Sequence, residues 1–393
     1  MISTGSTRLQ TGTEMKAPLD KITIQGFKSI RSLEEFPLNH GLNIFIGANS
    51  AGKSNFVEFF RLMEKMALKD LNGYVAQFGG AETFFFQGSE VTEAITVELR
   101  FPDNGYYFQL HPTTTDKVLV GFERAFSKAE QEGLQFFKED VILKPCTSKE
   151  GESMLFHGHS KPGGNSIELA VRQTIESWQV YHFQNTSPFS SLRKPASIHN
   201  QAELFPDGSN LSAFLWSLKQ RNEASYEKIV NAVQFIFPAF EDFELKPEKL
   251  GDASDNRTVK LCWKQKGTRY VFQPWQMSDG TLRYLTLVTA LMQPNPPSTI
   301  IIDEPELGLH PNALGFIAGL MHSVSHKTQL IVATQSPDLL KTMEPEDVVV
   351  VHNRDGESIF ERLEREPLAA WIEEYSLSDL WLKNVIQAGP DHA

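Results

Sequence analysis

Residues 47–54 read GANSAGKS, a complete G-x-x-x-x-G-K-[ST] loop, directly behind the apolar run Leu42–Ile46. That run is short and β-prone, and in Asn55–Lys65 the residues Phe56, Phe59, Phe60 and Met63 recur at helical spacing. A loop of this kind between a strand end and a helix start is a phosphate cradle. Gly47 and Gly52 permit the tight path that turns successive N–H groups toward β- and γ-phosphate oxygens. Lys53 brings a point charge to those oxygens, and the Ser54 hydroxyl is a ligand for Mg²⁺. The chain reads as an ATP- or GTP-binding protein.

At 393 residues the chain exceeds one small core, so two domains, or one large domain with an insertion, are expected. No apolar run approaches the ~20 residues of a membrane span. Residues 1–18 are polar and lack the apolar stretch of a signal peptide. They read as a disordered leader, with the fold beginning near Leu19. Cys146 and Cys262 stand far apart without metal-ligand spacing, which suits a cytoplasmic protein with no zinc site. A net charge of −12 argues against broad DNA coating, although a local basic groove stays open. The small patches Lys28–Arg31 and Arg193–Lys194 read as solvated surface.

Along the chain, Lys21–Phe27 alternates as an opening strand, and Asn72–Gln87 reads as a Gly-punctuated loop after the first helix. Val91–Phe101 and Tyr106–Leu110 form a candidate hairpin across PDNG, part of an antiparallel layer beside the nucleotide-binding sheet. Residues 112–255 show no phosphate chemistry and read as an inserted α+β subdomain, with a strand at 178–183 and helices near 209–219 and 226–237. Val259–Trp263 and Arg269–Phe272 suggest a hairpin. Strands and helices then alternate to the C-terminus, implying a mostly parallel sheet covered on both faces. The expected division is a leader at 1–18, an N-terminal ATPase lobe at 19–111, the insertion at 112–255 and a C-terminal ATPase lobe at 256–393.

STIIIDEPELGLHP at 298–311 places two acids at the end of an apolar strand, the pattern of a Walker B motif. Asp303 can hold the Mg²⁺ shell, and Glu304 can orient or deprotonate the attacking water. Without the loop upstream, the same pair would only end a strand and cap a helix. Met277–Gly280 opens a helix about twenty residues earlier, where Ser278 and Gly280 make a second anion-binding end. Alone, a Ser-Asp-Gly tripeptide is an N-cap. With a complete cradle already present, its economical role is to reach a γ-phosphate held by another subunit.

FKSI at 27–30, GANSAGKS, MSDGTLRYL at 277–285, IIIDEPELGLHP at 300–311 and IVATQSP at 331–337 together resemble an ABC-type ATPase. The branch is the one containing RecF, Rad50, SMC and OLD-type proteins. WQVYHFQNTSP and LFPDGSNLSAFL look like its compact AAA_21-type members, without a TOPRIM domain. The resemblance implies an α/β P-loop head: a mixed sheet, an antiparallel β layer and an inserted α+β subdomain. It also implies a head-to-tail dimer with ATP between GANSAGKS of one chain and Ser278–Gly280 of the other. Carried over by position, Asn49, Ser50, Ala51, Gly52, Lys53 and Ser54 bind phosphate, with Ser54 and Asp303 at the Mg²⁺. Glu304 is the catalytic carboxylate. Lys28 and Ser29 either reach the nucleotide or form a surface turn. Gln77 and Gln87 are both candidates for a metal-shell glutamine, of which Gln77 is preferred. Gln335 stands where many relatives carry a histidine, and it cannot carry a proton as imidazole does. Either hydrolysis is slow or partner-activated, or the glutamine is an ordinary variant.

The leading expectation is the ATP-gated sensor of a bacterial antiphage defence module. It would act as a homodimer or higher oligomer controlling a separate nuclease or toxin effector. The alternative is a RecF-like repair or chromosome-maintenance ATPase that binds duplex DNA. A membrane transport role fits the motif style poorly.

Overall fold

The computed structural model describes residues 17–127, 141–143, 152–157, 167–183, 185–249 and 257–386. Residues 1–16 of the expected leader, Cys146 and the turn-rich 161–165 lie outside the described residues.

A six-stranded mixed sheet forms the centre, in the order Glu357–Arg362, Val348–Arg354, Leu42–Ile46, Gln329–Thr334, Thr299–Asp303 and Trp178–Tyr181. All neighbours pair in parallel except the antiparallel edge strand Glu357–Arg362. Three of the four inner strands, Leu42–Ile46, Gln329–Thr334 and Thr299–Asp303, are buried along their whole length. Their side chains alternate between two cores. Ile44, Ile302 and Val332 face one, while Phe45, Ile301 and Ile331 face the other. Hydrophobic runs of this kind suit strands covered on both faces.

On one face lies the helix Lys53–Ala67, whose Phe56 ring packs 4.5 Å from Phe45. Its Phe59 meets Phe27 of a second, antiparallel sheet at 6.1 Å, so aromatic side chains wedge the helix between the two sheets. That second sheet has six strands, and Ile95–Arg100 and Asn104–Pro112 pair across the expected PDNG turn. The other face carries helices Leu211–Arg221, Glu223–Ile236, Asp279–Met292 and Pro311–Val324.

Three local readings change. The segment 72–87 contains the helix Leu71–Gln77 and the 3-10 turn Ala81–Phe84, because Leu71, Tyr74 and Val75 share one buried face despite the glycines. The hairpin expected within 259–272 forms with its first strand starting at Trp263, while the residues just before it join another small sheet. Arg257–Val259 pairs with Pro247–Lys249, and Trp263–Gln265 pairs with Val271–Phe272. Alternation reports which face is buried, not which strand lies alongside. Strands Val118–Ser127 and Trp178–Tyr181, both within 112–255, hydrogen-bond into the antiparallel and central sheets. The domain division itself is kept as a proposal.

Candidate nucleotide-binding site

Register sets the site. Asp303 lies opposite Ala333, and Thr334 opposite Ile46, so Gly47–Ser54, Asp303–Glu304 and Gln335 leave the carboxyl ends of three adjacent strands. Ligands of open α/β sheets bind at such ends.

The loop conformation demands its glycines. A Cβ on Gly47 would stand 2.2 Å from the Val351 carbonyl. Gly52 has φ of +107°, and a Cβ there would meet Ser358 Oγ at 1.8 Å. Ser358 Oγ instead donates to the Ala51 carbonyl at 2.7 Å and contacts Ser29 Oγ at 2.7 Å. Ser29 also accepts from Asn55 Nδ2 at 2.6 Å, which makes it a brace behind the loop. Asn49 and Ser50 are exposed on the loop, and Ser50 is left-handed with φ of 67°.

Lys53 Nζ donates to the Gly47 and Ala48 carbonyls at 2.8 and 2.9 Å. Burial pushes this ammonium below its ordinary range, against the opposing charges of Glu304, Asp303 and Glu306. The helix it opens has no acid in its first turn to compete with an anion. Ser54 Oγ lies 3.5 Å from Asp303 Oδ1, a hydroxyl and a carboxylate converging as a Mg²⁺ shell needs. Burial raises the Asp303 carboxyl to about 6, opposed by Arg61 and reinforced by Glu304 and Glu306. The residues fit Mg²⁺ with a nucleoside triphosphate.

Glu304 leaves the strand with φ of 50° while its N–H donates to the Ala333 carbonyl at 2.8 Å. Gln335 is exposed, and its backbone N–H donates to Glu306 Oε1 at 2.8 Å. Glu306 thereby ties the turn after Asp303 to Gln335, a link the motif reading missed.

Further charged groups escaped that reading. Arg61 Nη2 stands 3.9 Å from Asp303 Oδ2, while its Nη1 meets Glu58 Oε2 at 3.1 Å. Arg61 also bonds His182 Nδ1 at 2.9 Å, and Tyr74 donates to Glu58. Lys28 belongs to this cluster rather than to the solvated surface. Its ammonium lies 3.8 Å from Glu58 and 4.8 Å from the Phe84 ring centroid, and burial lowers its pKa. Two charged side chains on a helix lined with phenylalanines were the signal available. Gln77 and Gln87 are both exposed, Gln77 at the end of its short helix.

Ser278 caps the helix Asp279–Met292 by accepting from the Thr281 N–H at 3.1 Å, and it is exposed. A Cβ on Gly280 would stand 2.7 Å from the Gly308 carbonyl, so this helix end abuts the turn after Asp303–Glu304. Arg193, expected at the surface, is buried against the start of the Ser278 helix, donating to the Pro274 and Met277 carbonyls.

A family model described as "AAA ATPase domain" (AAA_15) matches residues 15–231, more than half of the chain. The chain belongs to this AAA ATPase family. Residues 181–341 of this AAA ATPase also match the AAA_21 model described as "AAA domain, putative AbiEii toxin, Type IV TA system". Its fold is that of an SMC head. A solved SmcHead bound to the C-winged helix domain of ScpA matches at a TM-score of 0.57 and 16% identity, over 90% of this chain and 99% of that one. An Smc head with an extended coiled coil, bound to a ScpA domain derived from Pyrococcus furiosus, matches at 0.54 and 16%, over 91% and 99%. The expected ATPase assignment is borne out by the family models, and the fold is the SMC-type head that the resemblance implied.

Curated relatives match over shorter stretches. The chromosome partition protein Smc of Desulfitobacterium hafniense is 35% identical over 78 residues, 20% of this chain and 6% of that protein. The energy-coupling factor transporter ATP-binding protein EcfA2 of Staphylococcus epidermidis is 28% identical over 136 residues, 31% of this chain and 46% of that protein. The chain thus spans less than half the length of either relative.

Proposed function

We propose that this AAA ATPase hydrolyses ATP at a site completed by two copies of the chain. The observation that carries this reading is the placement of its two anion-binding helix ends. The helix behind Lys53 and Ser54 packs on one face of the central sheet, and the helix behind Ser278 and Gly280 packs on the other. Ser278 is exposed and therefore open to a nucleotide held by a second chain. In this reading Asn49, Ser50, Ala51, Gly52 and Lys53 cradle the phosphates, while Ser54 and Asp303 hold Mg²⁺. That ion supplies charge neutralisation at the phosphate oxygens when bound. Glu304 orients the attacking water and takes its proton, and Gln335 hydrogen-bonds the water or the γ-phosphate. Ser29 braces the cradle from behind. Lys28 acts through Glu58, and Gln77 is kept as the metal-shell candidate.

Glu304→Gln is the direct test: it should retain ATP and accumulate as a dimer, seen by sizing with and without ATP. Unchanged turnover would remove Glu304 from its role. Ser278→Arg should block assembly while leaving nucleotide binding by the monomer intact.

For output, we favour a cytoplasmic defence module in which the ATPase gates a separate nuclease or toxin. The AbiEii and toxin–antitoxin wording of the matched family supports this. Co-purification from the native operon should yield the effector, and deletion should cost phage protection; finding neither would end this reading. The likeness to Smc supports a second one, in which the dimer binds duplex DNA. DNA affinity that falls steeply with salt would favour it.

A further inference from the structure

We infer that Arg193 is a positioning residue that builds the Ser278 turn into an anion-accepting surface, an inference that rests on the shared-site reading above. Arg193 closes the short 3-10 turn Ser191–Arg193, which Ser190 caps by accepting from the Leu192 N–H at 3.2 Å. Its side chain is 5% exposed, so the guanidinium must spend its donors on protein. Nε donates to the Thr186 carbonyl at 2.9 Å. Nη1 donates to the carbonyls of Pro274 at 2.6 Å and Met277 at 2.9 Å. Nη2 meets Asp279 Oδ1 at 2.5 Å.

These partners flank Ser278 on both sides. Pro274 and Met277 precede it and Asp279 follows it, so one rigid, planar group fixes the backbone entering the helix. The charge matters as much as the geometry. Asp279 occupies the first helical position, where a bare carboxylate would cancel the positive end of the helix and repel a triphosphate. Arg193 neutralises that carboxylate from the protein side and leaves the Ser278 side of the turn open. A lysine could keep the charge but cannot reproduce the fork. The segment around Thr186–Arg193, which holds no phosphate motif, thereby becomes a support for the shared site.

The test mixes two variants that should each be inactive. In a head-to-tail dimer, Arg193→Gln brings an intact P-loop and Lys53→Ala an intact Ser278 turn, so hybrid dimers hold one complete site. Alone, each should turn over at less than about a tenth of the wild-type rate. Arg193→Gln should still bind ATP at its own P-loop within about threefold of wild type. An equimolar mixture should recover about a quarter of wild-type turnover, since half the dimers are hybrids with one of two sites complete. Ser278→Arg mixed with Lys53→Ala is the reference. If the reference mixture does not recover, the shared-site reading fails. If it recovers and the Arg193→Gln mixture does not, or if Arg193→Gln alone is active within about twofold of wild type, the inference about Arg193 is overturned. Should Arg193→Gln fail to bind nucleotide, Arg193→Lys takes its place in the same mixture. Loss of nucleotide binding in both would also overturn the inference, since Arg193 would then serve the fold as a whole.

Discussion

Ser54 and Asp303, 249 positions apart in the chain, bring a hydroxyl and a carboxylate oxygen to within 3.5 Å of each other. The contact joins the first turn of the P-loop helix to the end of the acidic strand. The strands that lead to them end in register on either side of Gln329–Thr334, so this meeting of side chains is a product of sheet pairing.

Asp303 carries an energetic cost in the nucleotide-free protein. Burial raises its carboxyl from 3.8 to about 6. Below the unfolded value both states are protonated and the cost is absent. Between the two values the unfolded chain alone ionises, and above the folded value the cost is complete. Asp303→Asn should therefore stabilise the nucleotide-free protein by about 1–3 kcal/mol near neutral pH. The gain should shrink as pH falls through 6 and vanish near 4, read from urea midpoints across pH. The same variant should bind ATP without its magnesium dependence.

Gly52→Ala should disable the cradle. The left-handed backbone and the Ser358 hydroxyl 1.8 Å from the added Cβ leave the loop no room to keep its path. A stability loss of about 1–3 kcal/mol is expected, with ATP affinity down by at least about tenfold. Titration with a fluorescent nucleotide would read the second effect, and unaltered affinity would contradict the loop geometry.

Arg61→Met would strip the buried Glu58 of its closest cation and Asp303 of its compensating charge. We expect a loss of about 3 kcal/mol by chemical denaturation, and Glu58→Gln in the same chain should return part of it. A double variant no more stable than Arg61→Met would show that the two side chains are not coupled.

Gln335→His would put a titratable ring beside the turn held by Glu306. If proton handling limits hydrolysis, turnover should rise about tenfold and acquire a dependence on pH near 6.5. Equal turnover across pH would show that the glutamine is no handicap. A single-turnover assay of wild type and variant distinguishes the two.

The strands, the loop and the helices that carry GANSAGKS, MSDG and DEPELGLHP were legible because each is a local pattern of period two or 3.6. The helix Leu71–Gln77 was not, since Gly73 within it and Gly79–Gly80 just after it mask a three-residue apolar face. Arg193 and Lys28 looked like surface cations because each falls in a short basic patch, Arg193–Lys194 and Lys28–Arg31. Their partners come from Pro274–Asp279 and from Glu58, beyond the reach of any local window. The same holds for His182, which meets Arg61 only because the strand before it joins the central sheet beside Thr299–Asp303.

By itself the sequence determined the phosphate cradle, the acidic strand end and the serine-capped helix, because backbone path, charge and capping are set by residues within a few positions. The tertiary structure alone decided which distant side chains those motifs meet. Packing put the P-loop helix and the Ser278 helix on opposite faces of one buried sheet, the separation on which the proposed two-chain site rests. Burial turned Arg61 and Arg193 from ordinary cations into fixed charges beside Asp303 and the Ser278 turn, since a charge removed from water must find its partners within the fold.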